Sequence, residues 1–395
     1  MSISDKVRTG MVQGSWIRRM FEEGDSLKKQ FGEANVFDLS IGNPVMEPPV
    51  EFRRELKRLA ERPLPGMHRY MENAGYADTR AAVALQLATE TGLNFTANDI
   101  IMTCGAAGAL NVVLKTVLNP GDGVVVFAPF FVEYLNYVDN HGGVSKIVPA
   151  DELFLPRLDV LEAAITAKTK AVIMNSPNNP TGVVYSAGYL CQLGQVLQKK
   201  ESRFGTQIFL ISDEAYRKII YDGLTYPPVW SHHRHSIVVT SHSKDLALPG
   251  ERIGYIAVHP ECTDKPALID GLIYCNRILG FVNAPALMQH LVRQLQAVTV
   301  SVAEYQRKRD FLYQRLTDMG YSMVKPQGAF YMFPKSPLED DVAFVRELQQ
   351  FRVLAVPGQG FGTPGHFRIS YCVDDRTLEG SLDGFRKVAK KFKLS

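Results

Sequence analysis

From about residue 76 to residue 258 the chain alternates helical stretches with short β-branched runs, the pattern of successive βαβ units. Few folds accommodate that alternation, and a mainly parallel sheet covered by helices is the direct solution. Runs at residues 100–103, 123–127, 171–174, 207–211, 237–240 and 254–258 are read as its strands. Several end in small, polar or turn-forming residues. In open α/β sheets ligands bind beyond the carboxyl ends of strands, so the chemistry is expected there. After Pro260 the pattern becomes mostly helical to about Met319, then gives a strand at 329–333, a helix at 342–351, a Gly-rich loop at 357–365 and a strand at 367–371. This predicts a second, smaller α+β domain. The helical stretch around residues 284–300 is the closest thing to a linker.

Lys244 ends one of the apolar runs and is followed by Pro249-Gly250, which forces a turn. That context predicts an amine in a dry pocket, where burial and nearby cations lower its pKa and leave it free to form a Schiff base with a carbonyl. Ser241, Ser243 and Arg252 surround it in sequence with hydroxyls and a charged fork, which suit a phosphate. Gly105, Ala106 and Ala107 follow a strand and open a helix, so the first-turn N–H groups can approach an anion; tight strand–helix packing is the alternative. Together these segments predict a phosphate cup around Lys244.

Asn175-Ser-Pro-Asn-Asn-Pro-Thr-Gly182 fixes a rigid turn, in which Asn178 serves the turn and Asn179 is free to donate to a ring oxygen. Asp213 closes another buried strand and needs a cationic partner there, such as a pyridinium N–H, or its pKa rises. A helix N-cap is the other reading for Asp213. Tyr216, one turn further if a helix begins there, reaches the same ligand from the side.

These segments resemble the fold type I pyridoxal-phosphate enzymes, most closely the class I and II aminotransferases. The carrying motifs are Ser-x-Ser-Lys-x4-Pro-Gly-x-Arg-x-Gly-Tyr ending at Tyr255, Asn-Asn-Pro-Thr-Gly at 178–182, Asp-Glu-Ala-Tyr at 213–216 and Phe-Arg-Ile-Ser at 367–370. The resemblance implies an α/β fold whose large domain, residues 46–285, has a mainly parallel, seven-stranded-type sheet flanked by helices. Residues 1–45 and 286–395 would form the smaller α+β domain that closes over the substrate. It also implies pyridoxal 5'-phosphate as cofactor, with Lys244 as the Schiff-base lysine and proton shuttle, Asp213 at the pyridine nitrogen, and Tyr216 with Asn179 at the phenolic oxygen. Phe131 is similar in place to the aromatic that stacks on the ring, Phe130 being core. Tyr70 resembles a tyrosine that reaches the neighbouring subunit's phosphate, which implies a homodimer with shared active sites. Arg368 matches the arginine that takes the substrate α-carboxylate, with Gly42 and Asn179 beside it. The implied reaction is ping-pong transfer of an amino group between an L-amino acid and a 2-oxo acid. A β-C–S lyase, racemase or decarboxylase on the same scaffold, or a non-enzymatic cofactor-binding regulator, are the alternatives.

The chain departs from aspartate-specific members at Ala107, where many carry a lysine. Arg277, or Arg18 and Arg19, are the candidates for recognising a side-chain carboxylate; a surface position on a helix is the favoured reading of Arg277, and an amphipathic entry helix explains Arg18 and Arg19 equally. Trp16, Phe21 and Tyr274 are read as core before pocket, the 232–235 histidine run as exposed and not metal-binding, and the 357–365 loop as a mobile lid. The 44 basic and 41 acidic residues are mixed along the chain, giving a net charge of +3 and no footprint for nucleic acid. Five scattered cysteines argue against disulfides or a zinc site. With no apolar signal core and no membrane-length apolar run, a cytoplasmic protein is expected.

Overall fold

The computed structural model describes residues 2–13 and 16–394, without the side chains of residues 12, 13, 16–19 and 21. Seven strands form the central sheet, in the spatial order Ile100–Thr103, Gly254–Val258, Ser236–Ser241, Phe209–Asp213, Thr169–Asn175, Gly123–Phe127, Val144–Val148. All run parallel except Gly254–Val258, which is antiparallel to both neighbours. Ile100–Thr103, Phe209–Asp213, Ser236–Ser241 and Gly254–Val258 are buried along their whole length, which is why their runs are mainly apolar and do not alternate. Val144–Val148, which the sequence reading did not resolve, is one of the two edge strands: largely exposed and carrying Lys146, it lacks that apolar run.

Helices cover both faces of this sheet. Gly105–Val117 buries Leu110, Val113 and Leu114 against it, and Ala187–Phe204 buries Leu190, Leu193 and Leu197. The second helix starts where the Ser186 hydroxyl accepts the Tyr189 N–H and stops at Gly205, whose φ of 64° suits a glycine C-cap. The C-terminal third adds a three-stranded antiparallel sheet of Val356–Pro357, Phe367–Ser370 and Tyr331–Met332. Helices Val302–Asp318, Asp341–Gln350 and Asp375–Lys391 pack around it. The N-terminal segment joins this part through Phe37–Asp38, which pairs with Val353–Leu354.

Three local expectations need correction. The stretch expected as a linker contains helix Ala286–Val292, whose Met288 to Val292 are all buried. Gln289 ties it in place, accepting the Tyr76 N–H and donating to the Ala284 carbonyl. His233 and His235, expected to be exposed, are 2% and 4% exposed. Their partners come from distant sequence: His233 Nε2 donates to the Ile208 carbonyl, and both ring nitrogens of His235 are bonded, to Glu201 and Thr263. The ligand atoms of Glu201, His233 and His235 lie within 4.8 Å of one another, with Glu201 Oε1 and both His235 nitrogens engaged in hydrogen bonds. The loop at 357–365 does not stand free as a lid. Gly358–Phe361 is a 3-10 turn whose Phe361 side chain is fully buried.

Candidate active site

Much of the site is built at the carboxyl ends of strands of the central sheet. Thr103 ends the first, and the chain turns into helix Gly105–Val117 through Gly105, at φ 73°. A Cβ at Gly105 would collide with the Arg252 guanidinium, so glycine serves both the turn and the close approach. Ser241 ends a second strand and leads into the short helix His242–Asp245, which carries Ser243 and Lys244. The Pro249–Glu251 turn then brings Arg252 back to the same edge, where its Nη1 donates to the Pro249 carbonyl at 2.9 Å. Because Gly254–Val258 runs antiparallel, its beginning lies beside the ends of its neighbours. Ala106, Ala107, Ser241, Ser243 and Arg252 consequently line one cavity of ≈ 270 Å³, and Gly105 lies against Arg252.

Lys244 projects into this cavity and donates to the Gly42 carbonyl at 2.8 Å. Its Nζ also lies 5.5 Å from the centre of the Phe330 ring. Burial brings its pKa down to about 8; Cys372 opposes this, while Arg368 and Arg252 push the same way. For an amine so depressed, the cost of burying charge is present in full below about pH 8 and is relieved as pH rises toward 10.5. In the apoenzyme, trapping of Lys244 by an aldehyde and borohydride should therefore rise with a midpoint near pH 8, read by mass spectrometry of its peptide. A midpoint near 10.5 would show an ordinary solvated amine.

Across the cavity, Asp213 is 7% exposed and is the last residue of its strand. Residues after it form a turn and not a helix, so the N-cap reading fails. The Tyr134 hydroxyl donates to its Oδ2 at 2.7 Å and the Ala215 N–H to Oδ1 at 3.3 Å. Burial raises its pKa, and these two bonds work against the rise. Among the described residues no cation pairs with it. Asn175 secures the neighbouring turn, donating to the Asp213 carbonyl and accepting the Asn179 N–H.

Tyr216 is buried, with its hydroxyl 3.0 Å from that of Tyr331. Phe131 and Asn179 line the cavity, whereas Phe130 is core and packs on Gly362. Arg368 is 1% exposed: Nη1 donates to Asn179 Oδ1 at 3.1 Å, Nη2 donates to the Ser40 carbonyl at 2.5 Å, and Nε has no partner among the described residues. Its guanidinium lies 4.6 Å from the Tyr331 ring centre and 4.9 Å from that of Phe361. A Cβ on Gly42 would overlap the Tyr331 hydroxyl.

Tyr134, Tyr331, Phe361 and Asn175 were not singled out from sequence as site residues. Only Asn175, at the head of the Asn-rich turn, carried a usable signal. Tyr70 does not reach this cavity in its own chain; it is 90% exposed and borders a separate pocket with Phe281 and Asn283. Arg277 lies exposed on helix Lys265–Ile278, and Tyr274, expected as core, is 60% exposed on the same helix. The side chains of Arg18, Arg19, Trp16 and Phe21 lie outside the described residues.

The family model for aminotransferase class I and II matches residues 34–385. The chain belongs to the class I and II aminotransferases. A probable aspartate aminotransferase of Methanocaldococcus jannaschii is 32% identical to this aminotransferase, over 95% of the chain and 97% of its own length. An aromatic-amino-acid aminotransferase of Thermococcus litoralis is 30% identical over the whole of both chains. Among solved structures, an aminotransferase from Eubacterium rectale superposes with a TM-score of 0.96 at 39% identity, covering 99% of each chain. The Thermus thermophilus aspartate aminotransferase with maleate gives 0.86 at 28%, covering 98% of this aminotransferase and all of that chain. The aminotransferase carries out pyridoxal-phosphate-dependent transamination, and its amino-acid and 2-oxo-acid substrates follow from that activity. Among the described residues no helix is long and apolar enough to cross a membrane.

Proposed function

We propose that the cavity around Lys244 holds pyridoxal 5'-phosphate and that each half of the transamination takes place there. The observation that carries this reading is the joint exposure to one cavity of a depressed amine, a buried carboxylate without a cation and a buried guanidinium with an unused Nε. The residues fit the cofactor chemically. Backbone N–H groups at Gly105, Ala106 and Ala107, the Ser241 and Ser243 hydroxyls and Arg252 would hold the phosphate. Asp213, kept in place by Tyr134, would hold the protonated pyridine nitrogen. Asn179 and Tyr216 would donate to the phenolic oxygen, with Phe131 against the ring face. When bound, this cofactor supplies an electron sink for the negative charge formed at the substrate Cα.

The remaining work falls to side chains of this chain. Arg368 binds the α-carboxylate, with Asn179 and the backbone at Gly42 beside it, and so fixes the Cα position. Lys244, neutral in part near pH 8, takes the Cα proton and returns it one position further along. The enclosing Ile41, Leu110, Tyr137 and Tyr331 exclude water while the proton is in transit.

We infer further that the enzyme is a cytoplasmic homodimer in which the exposed Tyr70 completes the partner's phosphate site. The working division is a large domain at residues 46–285 and a small one made of residues 1–45 and 286–395. The test is a half reaction. Holoenzyme mixed with a panel of amino donors, without any oxo acid, should convert its cofactor to the pyridoxamine form and release one oxo acid per site. Subsequent 2-oxoglutarate or pyruvate should restore the starting spectrum. Sustained turnover without an oxo acid would overturn the transamination reading of this site.

A further inference from the structure

Tyr216 and Tyr331 form a buried pair of hydroxyls 3.0 Å apart, and one of them must donate to the other. Tyr331 sits on the strand Tyr331–Met332, paired directly with Ser370 two residues beyond Arg368. Both side chains are thus delivered by one small sheet, and the Arg368 guanidinium lies over the Tyr331 ring at 4.6 Å. A cation on the ring face draws electron density from it and makes its O–H the stronger acid. Tyr216 instead meets the edge of Phe330, at 5.3 Å and 90°. The titratable groups facing Tyr331 are Arg368, Tyr216, Cys372 and Tyr305. Gly42 closes the remaining side with backbone, since no Cβ fits beside the Tyr331 hydroxyl.

We propose that Tyr331 is a positioning residue: it donates its hydroxyl proton to the Tyr216 oxygen, turns the Tyr216 proton into the cavity, and joins the Arg368 carboxylate site to the Tyr216 end of the cofactor site. This rests on the reading of the cavity given above. A hydroxyl that accepts a hydrogen bond is itself a better donor, because linked bonds polarise one another. Tyr216 would therefore hold negative charge on the cofactor's ring oxygen more firmly than an isolated tyrosine. The attached Lys244 nitrogen would then release its proton at lower pH.

The experiment is a pH titration of the visible band of the holoenzyme. Tyr331→Phe keeps the ring under Arg368 and removes only the hydroxyl. The band midpoint should move upward by several tenths of a pH unit, and by about one at most, with the thermal midpoint nearly unchanged. Phe361→Leu is the companion variant; it strips the other ring from Arg368 at 4.9 Å without touching Tyr216. It should raise KM for the amino acid and leave the band midpoint at the wild-type value. An unmoved or lowered midpoint in Tyr331→Phe, or an equal shift in both variants, would overturn the proposal. A wild-type protein that shows no cofactor band would overturn the cavity reading and this inference with it, whereas a normal wild-type band with an unmoved Tyr331→Phe midpoint refutes the role of Tyr331 alone.

Discussion

Lys244→Ala is expected to lower transamination by about 10⁴-fold or more, the upper end of what a positioned acid–base group contributes. It should also remove the visible band that cofactor attached to the lysine gives. The reasoning is local: the amine makes one hydrogen bond, to the Gly42 carbonyl at 2.8 Å, and no ion pair among the described residues. Its truncation relieves a buried charge as much as it removes a contact, so the thermal unfolding midpoint should stay near the wild-type value. The phosphate contacts proposed for Ser241, Ser243 and Arg252 would not depend on the amine, and cofactor should still bind, though without covalent attachment. A variant that retained the wild-type visible spectrum would show that a different nitrogen carries the cofactor.

Arg368→Lys is expected to raise KM for the amino acid by roughly 10- to 100-fold, with a smaller fall in kcat. Three properties are lost together. A lysine cannot present a planar fork to a carboxylate, cannot lie between two rings as the guanidinium lies between Tyr331 and Phe361, and cannot keep both the Asn179 and Ser40 bonds. Loss of an interaction made equally in the ground and transition states appears mainly in KM. Steady-state kinetics over a donor panel measures this directly. An unchanged KM would place the α-carboxylate elsewhere in the cavity.

The part of the site legible in sequence is the part written in contiguous segments. Lys244, its flanking serines and Arg252 lie within a few residues of one another, and a turn between two buried strands announces them. Asp213 and Asn179 are legible for the same reason, as polar residues closing apolar runs. Tyr134 and Tyr331 are different in kind. Each is an aromatic in an apolar surrounding, indistinguishable in sequence from Phe130 or Phe333, and only the folded chain reveals that a hydroxyl faces Asp213 or Tyr216. The histidines at 233 and 235 fail to announce their burial because Glu201, Ile208 and Thr263, which satisfy them, come from other segments. The edge strand Val144–Val148 is not legible because every residue but Val148 is at least partly exposed, so the uninterrupted apolar run is absent.

The reversed strand Gly254–Val258 has a consequence for how the enzyme comes into being. Because it doubles back on Ser236–Ser241, Lys244 and Arg252 are delivered by a single local connection, which closes with little loss of chain entropy. The lysine's bond to Gly42 spans 202 residues and Arg368 reaches Ser40 across 328, so this half of the site is assembled only when segments far apart in the chain meet. Lys244 and Arg252 thus reach the cavity as one contiguous piece of chain, whereas Arg368 depends for its place on a segment more than three hundred residues away.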